Sequence, residues 1–246
     1  MNIRLLVAAT AVSVTTLPAL AGPSDYVRTP GVEYGERELE LKFGRAKEPN
    51  GEHESAAALG FGFGATEFWF TELYLKYEKE GSQGTKLEAV EWENKFQLTE
   101  PGKYPVDVGF FAELEVPREH GEAYEFAFGP MFQTDFGKVQ LNGNLVFERK
   151  FRGPSDEEHH LEMLYQWQAK YRLQPTFEFG LQGFGELGKW DDWAPHNEQF
   201  HNFGPAIFGK IPLGDKHALK YDAALLFPAT SATPDRTFRF QTEYEF

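Results

Sequence analysis

Histidines and carboxylates stand together at several points of the chain, and that pairing is where chemistry is first sought. Acidic neighbours accompany them in Glu52-His53-Glu54, in Glu119-His120-Gly121-Glu122, in Asp156-Glu157-Glu158-His159-His160, and at Asp191-Asp192 near His196. Imidazole with carboxylate suits borderline divalent ions such as zinc or copper. No pair has the spacing of a ligand motif, so His53, His120, His159, His160, His196 and His201 are expected at most to gather divalent cations, and no other cofactor is expected. Nucleophilic chemistry has less to draw on. Cysteine is absent, which removes a thiolate nucleophile and any disulfide framework. Ser155 lies near His159 and Ser231 stands apart, but nothing in sequence orients a base against either hydroxyl. Glu91 and Glu93, two apart on one strand, share a face without forming an acid/base site. No catalytic residue is assigned, and an enzyme is the less favoured reading.

The elements carrying these residues are strands. From Arg37 onward the hydrophobic period is two. In Val106–Val116 one face carries Val106, Val108, Phe110, Ala112, Leu114 and Val116, and the other carries Asp107, Gly109, Phe111, Glu113 and Glu115. The pattern predicts strands at 37–44, 54–64, 67–78, 86–98, 106–116, 123–133, 139–151, 159–172, 177–187, 200–211, 218–227 and 237–246. Each has about the length a tilted strand needs to cross a bilayer. Tight turns at 64–66, 134–138 and 173–176 alternate with charged, mostly longer loops at 45–53, 79–85, 117–122, 152–158, 188–199 and 228–236; the turn at 99–105 is an exception in length. In a membrane barrel the short turns are periplasmic and the long loops outside, which places all the histidines named above at the outer rim.

Ahead of the strands, Arg4, the mostly apolar run Leu5–Leu17 and Pro18-Ala19-Leu20-Ala21 read as a signal peptide over 1–21. Residues 22–36 read as a periplasmic N-terminal lead-in, and 37–246 as the barrel. With 246 residues and a net charge of −14, the chain fits one large β-domain and does not suit nucleic acid, whose phosphates demand clustered cations.

A soluble lipocalin-like barrel or β-sandwich would alternate in the same way, with its apolar face turned inward. Aromatic residues make up 16% of the chain, and many stand near strand ends: Trp69, Tyr77, Tyr104, Tyr124, Tyr171, Phe177, Tyr244 and Phe246. That distribution favours the interfacial girdles of a membrane barrel. The fold expected is all-β, a closed antiparallel up-and-down transmembrane β-barrel of about twelve strands. The final strand, with Tyr244 and Phe246, resembles the carboxy-terminal assembly signal of Gram-negative outer-membrane proteins, although the Gly often found just before the end is missing. The architecture is similar to that of small outer-membrane channels. The resemblance implies an outer-membrane location, outer-membrane lipid and lipopolysaccharide as surroundings, the assembly machinery as a partner of the last strand, and a monomer.

If the apolar face meets lipid, the opposite face lines a polar lumen. Its members are Glu72, Glu91, Glu93, Lys95, Asp107, Glu113, Glu115, Glu125, Glu148, Glu162, Lys170, Arg172, Glu178, Asp222, Arg239 and Glu243. Carboxylates predominate, so a water-filled lumen would favour small polar or cationic solutes. Channels for acidic sugars tend to have basic lumens, and this lining argues against that class. Two alternatives differ in kind: an outer-leaflet lipid-modifying enzyme, and a closed structural or adhesion barrel. Some outer-membrane lipid hydrolases and acyltransferases carry a His-x-Ser motif, and His53-Glu54-Ser55 is the one such triplet in this sequence.

Overall fold

The structure is a computed structural model that describes residues 22–81, 84–153, 160–214 and 217–246. The expected signal peptide, His159 and Ser155 lie outside the described residues. Twelve long strands form the wall: β1 (Arg37–Lys47), β2 (His53–Gly64), β3 (Trp69–Glu80), β4 (Lys86–Gln97), β5 (Asp107–Pro117), β6 (Tyr124–Phe136), β7 (Val139–Phe151), β8 (Leu161–Gln174), β9 (Phe177–Lys189), β11 (Phe200–Pro212), β12 (Ala218–Pro228) and β13 (Arg236–Glu245). Their ends fall within three residues of those read from the alternation. A two-residue strand, β10 (Asp192–Trp193), folds back on β9 in the outer loop. It was not expected, being too short to show a period.

Every wall strand pairs antiparallel with its neighbours, and β13 pairs with β1 in the register Glu40↔Glu243, which closes the barrel. Two-residue links join β6 to β7, where Phe136 pairs with Val139 and Gly137 supplies φ 61°, and β8 to β9, where Gln174 pairs with Phe177.

The burial pattern settles which way each strand faces. Along β1 Leu39, Leu41 and Phe43 are exposed, while Glu38, Glu40 and Lys42 are buried. Leu59 and Phe61 on β2 and Leu73 and Leu75 on β3 continue the exposed apolar belt. A soluble barrel would show the reverse. An apolar outer surface of this extent has a suitable solvent only in lipid, and a closed barrel leaves no unpaired edge there.

The interior departs from expectation in two ways. Of residues 22–36, read from sequence as a periplasmic lead-in, 22–32 run inside the barrel and 33–36 stay at its periplasmic mouth. Val32 N–H donates to Gln97 Oε1 at 2.9 Å near the periplasmic end; Arg28 sits deeper, and Gly22 borders a small pocket with Ala46 and Pro234 towards the outer end. Gly44 makes room for this path, since a Cβ there would stand 1.8 Å from the Pro23 carbonyl oxygen. The inner face is also less polar than expected. Phe70, Tyr74, Phe111, Met131, Phe184, Phe200 and Phe208 are buried on it. Two of these rings fill the space left by glycines on the next strand: Tyr74 lies over Gly60 and Phe70 over Gly62.

Candidate functional site

The site is the lumen, built by the inward positions of the strands and by the segment that threads them. The segment is held at its centre by Arg28. Its Nε bonds Glu93 Oε2 at 2.6 Å and its second guanidinium arm bonds Glu113, from β4 and β5. Tyr26 donates its hydroxyl to the same Glu93 oxygen at 2.6 Å. The main chain is gripped too: Arg28 N–H donates to Asn144 Oδ1, and Asn144 Nδ2 donates to the Arg28 carbonyl. Tyr26, Arg28, Glu93 and Asn144 are buried, and the charges that meet here are paired and hydrogen-bonded as a dry interior requires.

Cations of the lumen rest on its rings. Arg28 lies 4.3 Å from the Phe111 ring, Lys42 3.6 Å from Tyr74, Lys95 4.4 Å from Phe70, Arg239 4.5 Å from Phe184 and Lys170 5.3 Å from Phe208. The quadrupole of each ring attracts the charge above it, which gives an inward aromatic a place in a charged lining. Further ion pairs join the lining: Lys76 with Glu91 and Glu115, Lys170 with Glu178 at 3.3 Å, and Lys220 with Glu243 and Glu245.

On the opposite wall a belt of amides runs around the barrel. Arg239 donates to Gln182 at 2.8 Å, Gln182 to Gln168 at 3.2 Å, Gln168 to Asn142 at 3.0 Å and Asn142 to Gln133 at 2.9 Å. All four bonds point the same way, so each polarises the next. Below the belt a cavity of about 620 Å³ lies towards the periplasmic end, bordered by Lys95, Asp107, Gln140, Lys170, Glu178 and Asp222.

The sequence-predicted lumen residues fall on the inward face. Glu72, Glu91, Glu93, Asp107 and Arg239 are buried there, Glu113, Glu115, Lys95, Lys170, Glu178 and Glu243 make the contacts just described, and Asp222 borders the cavity. Glu125, Glu148 and Glu162 share the inward period of Ala127, Val146 and Leu164. Arg172 stands at the periplasmic lip, 3.0 Å from Asp135. At that lip Glu36, 3.6 Å from Lys220, is pushed up to about 7 by burial, against the pull of Lys220 and reinforced by a hydrogen bond with Glu245.

The outer-rim histidines are spread out. His53 opens β2, His120 lies between β5 and β6, His160 precedes β8 and His196 follows β10. The rings of His196 and His201 lie 5.6 Å apart, and His201 Nδ1 meets the Tyr165 hydroxyl at 2.7 Å. Among the described residues, the convergent groups able to hold an ion are all glutamates: Glu91, Glu93 and Glu113, already matched by Arg28 and Lys76, and Glu36, Glu38 and Glu243 at the lip. Ser231 donates to the Asn197 carbonyl at 3.2 Å.

Tyr26, Arg28 and Asn144 were missed as site residues in sequence. The available signal was a surplus of inward glutamates with too few inward cations to match them.

A closed twelve-strand wall, apolar outside and ionisable inside, decides the comparison. The fold is that of outer-membrane channels. An outer membrane channel from Pseudomonas putida F1, of the COG4313 group, superposes with a TM-score of 0.60 at 11% identity, over 90% of this chain and 98% of the other. The KdgM porin gives 0.51 at 7% identity, and the NanC porin 0.51 at 10%, each over 85% of this chain and 98% of the other. No protein-family model and no curated protein sequence matches the chain.

Proposed function

We propose that this protein is a channel of the Gram-negative outer membrane through which small polar solutes diffuse, cations in preference to anions, at a rate set by its own residues 22–32. The observation that carries this reading is the inside-out burial of β1, with Leu39, Leu41 and Phe43 towards lipid and Glu38, Glu40 and Lys42 towards the bore. A hydrocarbon-facing wall around ionisable groups has a use for those groups when water and ions reach them. The likeness in fold to porins supports the same reading. Carboxylates outnumber cations on the lining, so the mean potential of the bore is negative and favours positive permeants. Arg28, reaching across to Glu93 and Glu113, ties the threading segment to the wall inside the bore.

Around the wall we place outer-membrane lipid and lipopolysaccharide, with the protein a monomer and its last strand, through Tyr244 and Phe246, engaging the assembly machinery. The histidine- and acid-bearing outer loops concentrate divalent cations at the mouth.

Planar-bilayer recording in a potassium chloride gradient tests this, with the wild-type protein beside a variant lacking residues 23–32. Wild type should conduct weakly and the variant at least several-fold more, both with cation-selective reversal potentials. A silent deletion variant, or anion preference in both proteins, would contradict the reading.

A further inference from the structure

The amide belt links two sides of the periplasmic cavity, and the two sides offer opposite chemistry. At one end Gln182 accepts a bond from Arg239 and gives one to Asp222 on β12. Asp222 borders the cavity, and its Oδ1 has no partner. Arg239 attracts that carboxylate through space but, among the described residues, forms no ion pair with it. At the other end Gln133 on β6 accepts from Asn142 at 2.9 Å, which leaves the N–H groups of its own amide unspent beside the cavity. Each amide in the chain hands on a polarisation that starts at a guanidinium, so these last donors are strengthened.

More donors stand on the Gln133 side. Gln97 on β4 accepts from Val32 N–H at 2.9 Å, and its amide N–H groups give no bond among the described residues. Lys95, two residues before it on the same face, rests over Phe70 at 4.4 Å and makes no ion pair among the described residues, whereas Lys170 has Glu178 and Lys220 has Glu243. Asp107, on the strand between, already accepts from Gly102 N–H at 2.8 Å. The β4–β6 side of the cavity therefore presents unspent donors, a full positive charge included, and the β12 side an unspent acceptor. β12 lies five strands from β4 one way round the wall and five from β6 the other way, so the two sides face each other across the bore. With strands ~4.8 Å apart and tilted about 40°, a twelve-strand wall is about 20 Å across, and a Lys and an Asp reaching inward from opposite sides leave about 10 Å between their charged atoms.

We propose that the cavity binds an ω-amino acid, a zwitterion held by its carboxylate at Lys95 and the amides of Gln97 and Gln133, and by its ammonium at Asp222. Among the described residues that border the cavity, lysine and arginine equal aspartate and glutamate in number, although the bore as a whole is acidic. A simple carboxylate is repelled by that acidic bore, and a simple amine leaves Lys95 unanswered. A zwitterion has no net charge and answers both sides. An α-amino acid is too short, because its two charged groups share one carbon. The proposal rests on reading the bore as a path for solutes and names the solute, while binding in the cavity is measured apart from conduction.

Isothermal titration calorimetry on the full chain folded in detergent tests this with 6-aminohexanoate, beside glycine, hexanoate and hexylamine. 6-Aminohexanoate should bind saturably and at least tenfold tighter than each of the other three. Lys95→Met should weaken it at least tenfold without weakening hexylamine, and Asp222→Asn should weaken it as much without weakening hexanoate. Heat-modifiable migration on gels checks that each variant is folded; should one fail to fold, the comparison of the four ligands on the wild type decides. Absent binding, an affinity for glycine or for either single-charge analogue equal to that for 6-aminohexanoate, or folded variants that weaken all ligands alike overturns the proposal. A bilayer silent to potassium contradicts conduction alone, and calorimetry without binding contradicts the zwitterion site alone.

Discussion

The side-chain amide of Asn144 treats Arg28 as a neighbouring strand would, accepting from its N–H at 2.9 Å and donating to its carbonyl at 3.0 Å across 116 residues of sequence. One side chain thereby satisfies both main-chain polar groups of a residue that belongs to no sheet, and fixes the height at which the Arg28 guanidinium meets Glu93. Loss of this pairing in a buried place leaves each group unsatisfied, at a cost of about 1–3 kcal/mol apiece. Asn144→Leu should therefore undock the segment while leaving the wall intact. With Val27→Cys as a reporter, buried in the wild-type arrangement, labelling by a water-soluble thiol reagent should quicken at least tenfold in the Asn144→Leu background. An unchanged rate would show that the amide does not hold the segment.

Arg28→Met acts on the same segment through charge. Removal of one partner of a buried pair leaves Glu93 and Glu113 uncompensated, a change worth about 3–5 kcal/mol. Conductance should rise and cation preference should sharpen, because the bore loses a fixed positive charge. Equal conductance and an unmoved reversal potential would place the restriction elsewhere.

Glu36 gives a pH dependence with a defined sign. Its carboxyl, raised to about 7 mainly by burial, is neutral below that pH and charged above it. Cation preference should therefore increase as pH rises through about 7 and decline as pH falls, and Glu36→Gln should remove the step. For stability, the folded protein keeps a proton that the unfolded chain releases near 4.5, so the contribution present below 4.5 is lost progressively as pH rises to about 7 and is gone above it. A selectivity profile flat across that window in the wild type would contradict the assignment.

The belt and the packing inside it make separate demands. Leu41→Arg puts a cation on the lipid face near the middle of β1 and should cost about 2–4 kcal/mol in urea unfolding from phospholipid vesicles. Gly60→Ala acts from the other side of the wall, where the new Cβ would stand 2.4 Å from the Tyr74 ring; overpacking of this kind costs about 1–3 kcal/mol. If Leu41→Arg unfolded at the wild-type urea concentration, that position would not face hydrocarbon.

The wall was legible because its code is local. Leu39, Leu41 and Phe43 alternate with Glu38, Glu40 and Lys42 within one strand, and any reader of period two finds the faces. Phe111 was legible on the charged face as well, but its reason was not: the cation over its ring, Arg28, comes from a segment far away in the chain. The threading segment itself was the least legible part. Gly22–Glu36 is too short and too rich in Pro and Gly to show a period, and its partners Glu93 and Asn144 lie 65 and 116 residues from Arg28. The amide belt was hidden for a like reason, since the bond from Arg239 to Gln182 joins strands that are not sheet neighbours. Contacts across a bore depend on barrel closure, which no window of sequence contains.

Which face of the strands meets lipid decides everything else about the barrel, and adjacent single thiols test it directly. In a chain without native cysteine, Ala58→Cys and Leu59→Cys on β2, carrying the same spin label in proteoliposomes, report opposite sides of the wall. The label at 59 should collide freely with membrane-dissolved oxygen, and the label at 58 should be immobilised and shielded from it. Oxygen access at 58 with a shielded label at 59 would mean that the apolar face is turned inward, and the barrel described here would be inside out.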